Sequence, residues 1–172
     1  KKKKKYLDAV CVSGGECTLY KDELYEFLRK VKNMGYLTKI DTNGTKPYFI
    51  NKLINNNMLD YIAMDIKAPL NNYNLVTQSN VDIEKIRMSI NIIKSSKISS
   101  EFRTTVCKEL ITINDIEKIS ELIKGSKKYI IQNFKDGDTI LAGENKFTPY
   151  TRGELNEIIN KIQDKFEICK YR

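Results

Sequence analysis

Short apolar runs and amphipathic stretches alternate along the whole chain. Leu7 to Val12 is an apolar run of strand length, after which Leu24, Phe27, Leu28, Val31 and Met34 recur at helical spacing until Gly35 offers a stop. The pattern repeats with Leu37 to Asp41 and a helix after Pro47 carrying Phe49, Ile50, Leu53 and Ile54. Tyr61 to Ile66 then leads to a helix carrying Ile83, Ile86, Ile90 and Ile93. Phe102 to Val106 precedes a helix with Ile116, Ile119, Leu122 and Ile123, whose start is predicted at Asn114 with Glu117 three residues on. Tyr129 to Phe134 precedes a helix with Leu155, Ile158, Ile159 and Ile162, opened by Thr151 and Glu154 as a capping box, and Phe166 to Tyr171 reads as a final strand.

Alternating strands and helices require a parallel sheet, because each helix is the crossover that returns the chain to the same end. All strand-to-helix loops then share one rim. A full eight-unit barrel needs about 250 residues. The 172 residues here predict an α/β fold in one domain spanning 1–172, with a parallel sheet that is open or forms a partial (β/α) barrel. The lysines at Lys1 to Lys5 stand directly before the first strand, as the solvated end of an upstream helix or linker would.

Composition changes this picture little. With 41% hydrophobic residues the chain can build a substantial core without disulfides or metals. The formal charge of +8 favours acidic partners, but lysines fall on polar helix faces and do not interleave with aromatics, so nucleic acid is not expected. There is no histidine, which removes the commonest general base and any histidine-held metal. Cys11, Cys17, Cys107 and Cys169 form no C-x-x-C pair, a usage that fits a reducing, cytoplasmic setting. No apolar stretch approaches a membrane span, and no apolar region follows the opening lysines as in a secretion signal.

Chemistry concentrates where strands end. "SGGECT" places Glu16, "IDTNGT" places Asp41, and "AMDIKAP" places Asp65 after three successive strands, and a parallel sheet brings those ends together. Turn-building and helix capping explain any one of these loops. Three neighbouring ones suggest a site. Gly14 and Gly15 let a ligand lie against backbone, while Glu16 presents a carboxylate to a cationic group such as an ammonium. Asp41 and Thr42 could take a hard cation or ligand hydroxyls, or belong to a turn made by Asn43-Gly44. Asp65 and Lys67 would share a strand face as an ion pair, with Lys67 alternatively aimed at an anionic substrate group. Arg103 projects either to the rim or into the core, where an apolar setting would make it costly. Cys11, Cys107 and Cys169 read as small buried hydrophobes. Cys17, beside Glu16, is either a thiolate or incidental, and lacks a histidine base. Neither phosphate-cradling glycine motif is present.

"VSGGECTLY", "KIDTNGT" and "YIAMDIKAPL", followed by "FRTTV" and "YIIQNF", resemble the radical S-adenosylmethionine superfamily. Within it they resemble the glycyl-radical activating enzymes, including the activating protein of anaerobic ribonucleoside-triphosphate reductase. The resemblance implies that Gly14, Gly15 and Glu16 cradle the methionine end of S-adenosylmethionine, Glu16 receiving its amino group. Asp41 and Thr42 would line its carboxylate side, with a monovalent cation between. Asp65 and Lys67 would face the reacting end and the substrate peptide, and Arg103 would reach the cofactor. Implied partners are a glycyl-radical enzyme of the anaerobic ribonucleotide reductase kind and a flavodoxin-type or ferredoxin-type electron donor.

The resemblance breaks at one point. The superfamily's C-x-x-x-C-x-x-C, which holds a four-iron four-sulfur cluster with one iron open to the cofactor, is absent. Without that cluster no electron cleaves the sulfonium bond. Cys17 also stands where relatives have proline. The expectation is a partial barrel lacking its first β/α unit, with the cluster cysteines upstream of Lys1 in the full-length protein and this chain inactive alone. Two other readings stand beside it: a module without a cluster that binds S-adenosylmethionine or a partner, and a magnesium-dependent hydrolase or transferase with Glu16, Asp41 and Asp65 as an acidic rim.

Overall fold

The computed structural model describes residues 7–137 and 143–172. Its strands are β1 (Ala9–Val12), β2 (Leu37–Thr42), β3 (Tyr61–Asp65), β4 (Ser99–Val106), β5 (Lys128–Asn133) and β6 (Ile168–Tyr171). Its helices are α1 (Lys21–Asn33), α2 (Pro47–Asn55), α3 (Tyr73–Thr77), α4 (Ile83–Ser95), α5 (Ile113–Leu122) and α6 (Arg152–Ile162). The strands form one six-stranded sheet in sequence order, β1-β2-β3-β4-β5-β6, which ends at β1 and β6 and is not closed. The expected α/β alternation is therefore present. The run Lys1 to Lys5, read above as a helix end or linker, lies outside the described residues. Among those residues no helix is long and apolar enough to cross a membrane.

The chain divides into two compact units, one made of residues up to Asp65 with Asp82–Glu101, the other of Ile66–Val81 with Phe102–Arg172. In the first, β1, β2 and β3 are parallel, with Val12 opposite Ile40 and Ile40 opposite Ile62. Thr38, Ile40 and Thr42 of β2 are buried while Lys39 and Asp41 are half-buried, so the strand separates an apolar face from a polar one. The apolar side chains at helical spacing bury as the pattern requires: Leu24, Leu28 and Val31 on α1, Phe49, Ile50 and Leu53 on α2, and Ile86, Ile90 and Ile93 on α4. Each such side chain contributes about 1.5–3 kcal/mol of transfer free energy. Gly35, at φ +80°, ends α1 by donating its N–H to the Lys32 carbonyl at 2.8 Å.

In the second unit β4, β5 and β6 are parallel, with Thr104 opposite Ile131 and Ile131 opposite Tyr171. Fully buried Tyr129 donates its hydroxyl to Thr104 Oγ1 at 3.0 Å, and its ring lies 5.3 Å from that of Phe166 at a tilt of 44°. Phe166 was expected inside the last strand, but β6 begins two residues later and the ring caps Tyr129 instead. Thr151 and Glu154 form the expected capping box of α6. The start of α5 differs. Thr112 caps it, with Asp115 closing the box, so Asn114 lies inside the first turn: the Thr112 hydroxyl and amide both reach the Asp115 carboxylate, at 2.7 and 3.1 Å. The short α3 was not foreseen, since five residues are too few to show a period. It is held by buried Tyr73, whose hydroxyl accepts from the Lys67 amide at 3.3 Å.

Candidate functional site

Parallel pairing sends the chain out of β1 and β2 at the same edge, and there the two following loops meet on one carboxylate. Glu16 caps the 3-10 turn Cys17–Leu19: its Oε1 accepts from the Thr18 amide at 3.1 Å and the Thr18 hydroxyl at 2.5 Å. From the end of β2 the Thr42 hydroxyl donates to the same oxygen at 2.7 Å, and from the loop that follows the Asn43 amide donates to Oε2 at 2.6 Å. Thr42 Oγ1 in turn accepts from the Gly44 amide at 3.2 Å. An ionised carboxylate has about four lone-pair sites. Oε1 is saturated from within the chain, whereas Oε2 accepts a single bond, from the Asn43 amide.

The glycines beside this clasp are held open. Gly14 and Gly15 adopt φ +99° and +34°, where a side chain is strained, and a Cβ built on either meets nothing within 4 Å. Their backbone is free to be approached. Gly44, at φ +79°, has a different reason for being glycine: a Cβ there would collide with the Met64 side chain of β3, and Ser89 Oγ of α4 donates to the Gly44 carbonyl at 2.6 Å. The expected Asn43-Gly44 turn is present, closed by the Thr45 amide and hydroxyl on Asn43 Oδ1 at 3.0 and 2.8 Å.

Asp41 and Thr42 were expected to line one side of a ligand, yet their side chains project to opposite faces of β2. Thr42 is 3% exposed and works for Glu16, whereas Asp41 joins the polar face. There Lys39 Nζ lies 3.1 Å from Asp41 Oδ1 and the Ser13 hydroxyl donates to Oδ2 at 3.3 Å. Lys39 also stands 5.5 Å from the Tyr61 ring, and the Tyr61 hydroxyl donates to Glu101 at 2.9 Å. This strip of Ser13, Lys39, Tyr61 and Glu101 was not singled out from the sequence. Its signal was the period-2 spacing of Lys39 and Asp41.

Asp65 ends β3 half-buried, on the face that Tyr61 and Ala63 share with Asp41. Lys67 was expected on the same strand face, but β3 stops at Asp65 and Lys67 belongs to the loop that α3 secures through Tyr73. Arg103, 7% exposed, lies within β4 opposite Ile130, and its carbonyl accepts from the Ile66 amide at 2.8 Å. Asp65, Lys67 and Arg103 are all engaged within the chain.

Cys17 is buried with its Sγ 3.3 Å from the Asp41 carbonyl. Burial, then the neighbouring Glu16 charge, pushes its thiol up to about 12, so it is no thiolate at neutral pH. Cys107 is buried as expected, Cys169 half-buried, and Cys11 exposed, which corrects its reading as a core residue: it lies on the edge strand, where neither face is fully covered. All four cysteines are free, and among the described residues no group of three or more Cys, Asp or Glu side chains could hold a metal ion. A four-iron four-sulfur cluster therefore does not fit the cysteines of this chain. Among the described residues Glu16, Asp41 and Asp65 do not make a metal-holding group either, and Asp41 carries the Lys39 ammonium, which opposes a magnesium site on this acidic rim.

The fold is that of an open parallel α/β protein whose first two strand ends meet at a Gly-Gly-Glu segment. The family described as the Radical SAM superfamily matches residues 1–123, and the chain belongs to that superfamily. A protein of Methanocaldococcus jannaschii, provisionally named a glycyl-radical enzyme activating enzyme, is 35% identical over 165 residues, covering 94% of this chain and 68% of its own. Among solved structures, a domain of pyruvate-formate lyase-activating enzyme from Bacteroides vulgatus superposes with a TM-score of 0.72 at 15% identity, covering 93% of this chain and 98% of that one. The structure titled native anSMEcpe with bound AdoMet and Kp18Cys peptide gives 0.61 at 14%, covering 91% and 45%. These two show the same fold, that of the expected partial barrel with its sheet not closed.

Proposed function

We propose that this chain is the S-adenosylmethionine-binding body of a glycyl-radical activating enzyme. The observation that carries the reading is the clasp of Thr18, Thr42 and Asn43 on Glu16, which leaves the Gly14-Gly15 backbone uncovered and one Oε2 lone pair available. An amino acid headgroup fits such a place: its ammonium finds the carboxylate and its flank lies along glycine backbone. Membership of the superfamily and the likeness to the Methanocaldococcus jannaschii protein support the same reading.

In this reading the chain's residues bind and orient. Glu16 Oε2 takes the ammonium, and Thr42 and Asn43 position that carboxylate instead of touching the ligand. A monovalent cation at Asp41 would have to displace the Lys39 ammonium, which already neutralises it. The roles expected of Asp65, Lys67 and Arg103 rest on the resemblance. The reductive chemistry belongs to a cluster whose cysteines are not among the four here, and the reading places them upstream of Lys1 in the full-length protein. The partner would be a glycyl-radical enzyme, of the anaerobic ribonucleotide reductase kind by the same resemblance, with a flavodoxin-type or ferredoxin-type donor.

Calorimetry with S-adenosylmethionine tests the binding half. Saturable binding is expected, weakened by about tenfold or more in Glu16→Ala, since a charge-assisted contact contributes about 1.5–3 kcal/mol. Unchanged affinity would put the site elsewhere.

A further inference from the structure

A second hollow in the first unit has no part in the reading above. It lies between the first turns of α1 and α2, has a volume of about 390 Å³, and is lined by Lys21, Lys46, Lys52 and Lys85 with Tyr48, against one carboxylate, Asp22. Two of the lysines are held in place: Lys85 Nζ by Asp82 at 3.2 Å, and Lys52 Nζ 5.0 Å from the Tyr25 ring. Among the described residues Lys21 and Lys46 form no ion pair. The hollow carries positive charge that the protein does not neutralise.

A lysine-rich protein has many lysines in surface hollows, and the second unit supplies the comparison. There a hollow of about 430 Å³ is lined by Lys118, Lys161 and Lys165, but Glu117 and Glu121 face them, with Lys161–Glu117 at 3.4 Å and Lys165–Glu121 at 2.8 Å. That hollow is closed electrostatically. The one between α1 and α2 is not, and it adds an aromatic ring: Tyr48 is 72% exposed beside Phe49, which is buried. An uncovered ring next to uncompensated ammonium groups suits a ligand with a flat apolar part and several negative charges.

We infer that the hollow between α1 and α2 binds a nucleoside polyphosphate, its phosphate oxygens on Lys21, Lys46 and Lys85 and its base against Tyr48. The volume lies within the range of about 300–1,000 Å³ of small-molecule sites. Lysine ammonium groups act on phosphate as point charges and need no fixed fork geometry, so Lys21 of α1, Lys46 just before α2 and Lys85 of α4 can serve together. The inference is independent of S-adenosylmethionine binding.

Calorimetry on the purified protein at physiological salt, with ATP and with inorganic tripolyphosphate, tests it. Both are expected to saturate at one site per chain. Lys21→Ala combined with Lys46→Ala should weaken both by about tenfold, from two exposed charge contacts of up to about 1 kcal/mol each. Tyr48→Ala should weaken ATP by about fivefold and leave tripolyphosphate unchanged, as loss of a stacked base predicts. Lys161→Ala, in the other hollow, should change neither. Heat that does not saturate, or a loss with Lys161→Ala equal to that of the double variant, would overturn the site. Equal affinities for ATP and tripolyphosphate, insensitive to Tyr48→Ala, would overturn the nucleoside part.

Discussion

The Thr42 hydroxyl donates to Glu16 Oε1 at 2.7 Å, joining the loop after β1 to the end of β2, 26 residues on in the chain. A carboxylate only accepts, so Thr42 must donate here, and its own lone pair is then turned to the Gly44 amide. One hydroxyl thereby settles both the Glu16 rotamer and the path of the loop after β2.

Thr42→Val keeps the shape and removes the hydroxyl. It leaves the buried Gly44 amide without a partner and removes one of the donors that orient Glu16, which should cost about 1–3 kcal/mol in urea unfolding. Thr42→Ser should recover most of that loss. If Glu16 is the ammonium site, S-adenosylmethionine affinity by calorimetry will fall with valine and return with serine.

Gly44→Ala combines a strained φ with a collision against Met64. A loss of about 1–3 kcal/mol is expected. Met64→Ala alone should cost about 2–5 kcal/mol by opening a cavity. The double variant should be less destabilised than the two losses added, because the new methyl occupies part of the space vacated. Chemical denaturation of the three variants checks this, and strict additivity would deny the contact.

Alkylation should distinguish the cysteines. Cys11 is exposed and should react with iodoacetamide first, while Cys17 and Cys107 are buried with thiols pushed up by desolvation and should react slowly at pH 8. Mass spectrometry of the labelled protein reads the order. The sign of the alkaline effect follows. Above the unfolded thiol value of about 8.5 the unfolded chain has lost the Cys17 proton that the folded chain keeps up to about 12, so stability falls as pH rises across that window.

Acid stability should depend on Asp60. Burial opposes its ionisation, but the Lys32 ammonium, at 2.9 Å, and the Thr38 amide and hydroxyl outweigh it and hold the carboxyl below its usual range. A depressed carboxyl contributes stability that is present above its unfolded value of about 3.9 and is lost as pH falls through the lowered one. Asp60→Asn should flatten that part of the pH profile of urea unfolding.

The alternation of strands and helices was legible because buried side chains recur with the period of each element, as Ile86, Ile90 and Ile93 do on α4. The capping box at Thr151 was legible because it is local. The box at Thr112 was equally local and was misplaced by two residues, because Asn114 and Glu117 mimic the same spacing. The short α3 and the end of β3 at Asp65 left no periodic trace. The Gly-Gly-Glu segment stood out in one dimension, but nothing in its sequence says that Thr42 and Asn43 would hold the carboxylate.

By itself, then, the order of residues determined which stretches become strands and helices and that the strands run parallel, since those depend on neighbours a few positions apart. Tertiary structure alone decided which atoms answer Glu16, that Asp41 and Thr42 part to opposite faces, and that Gly44 must make room for Met64. Hydrogen bonds and close contacts have a reach of a few ångströms and require particular angles. They are set only when the sheet fixes the register between segments far apart in the chain.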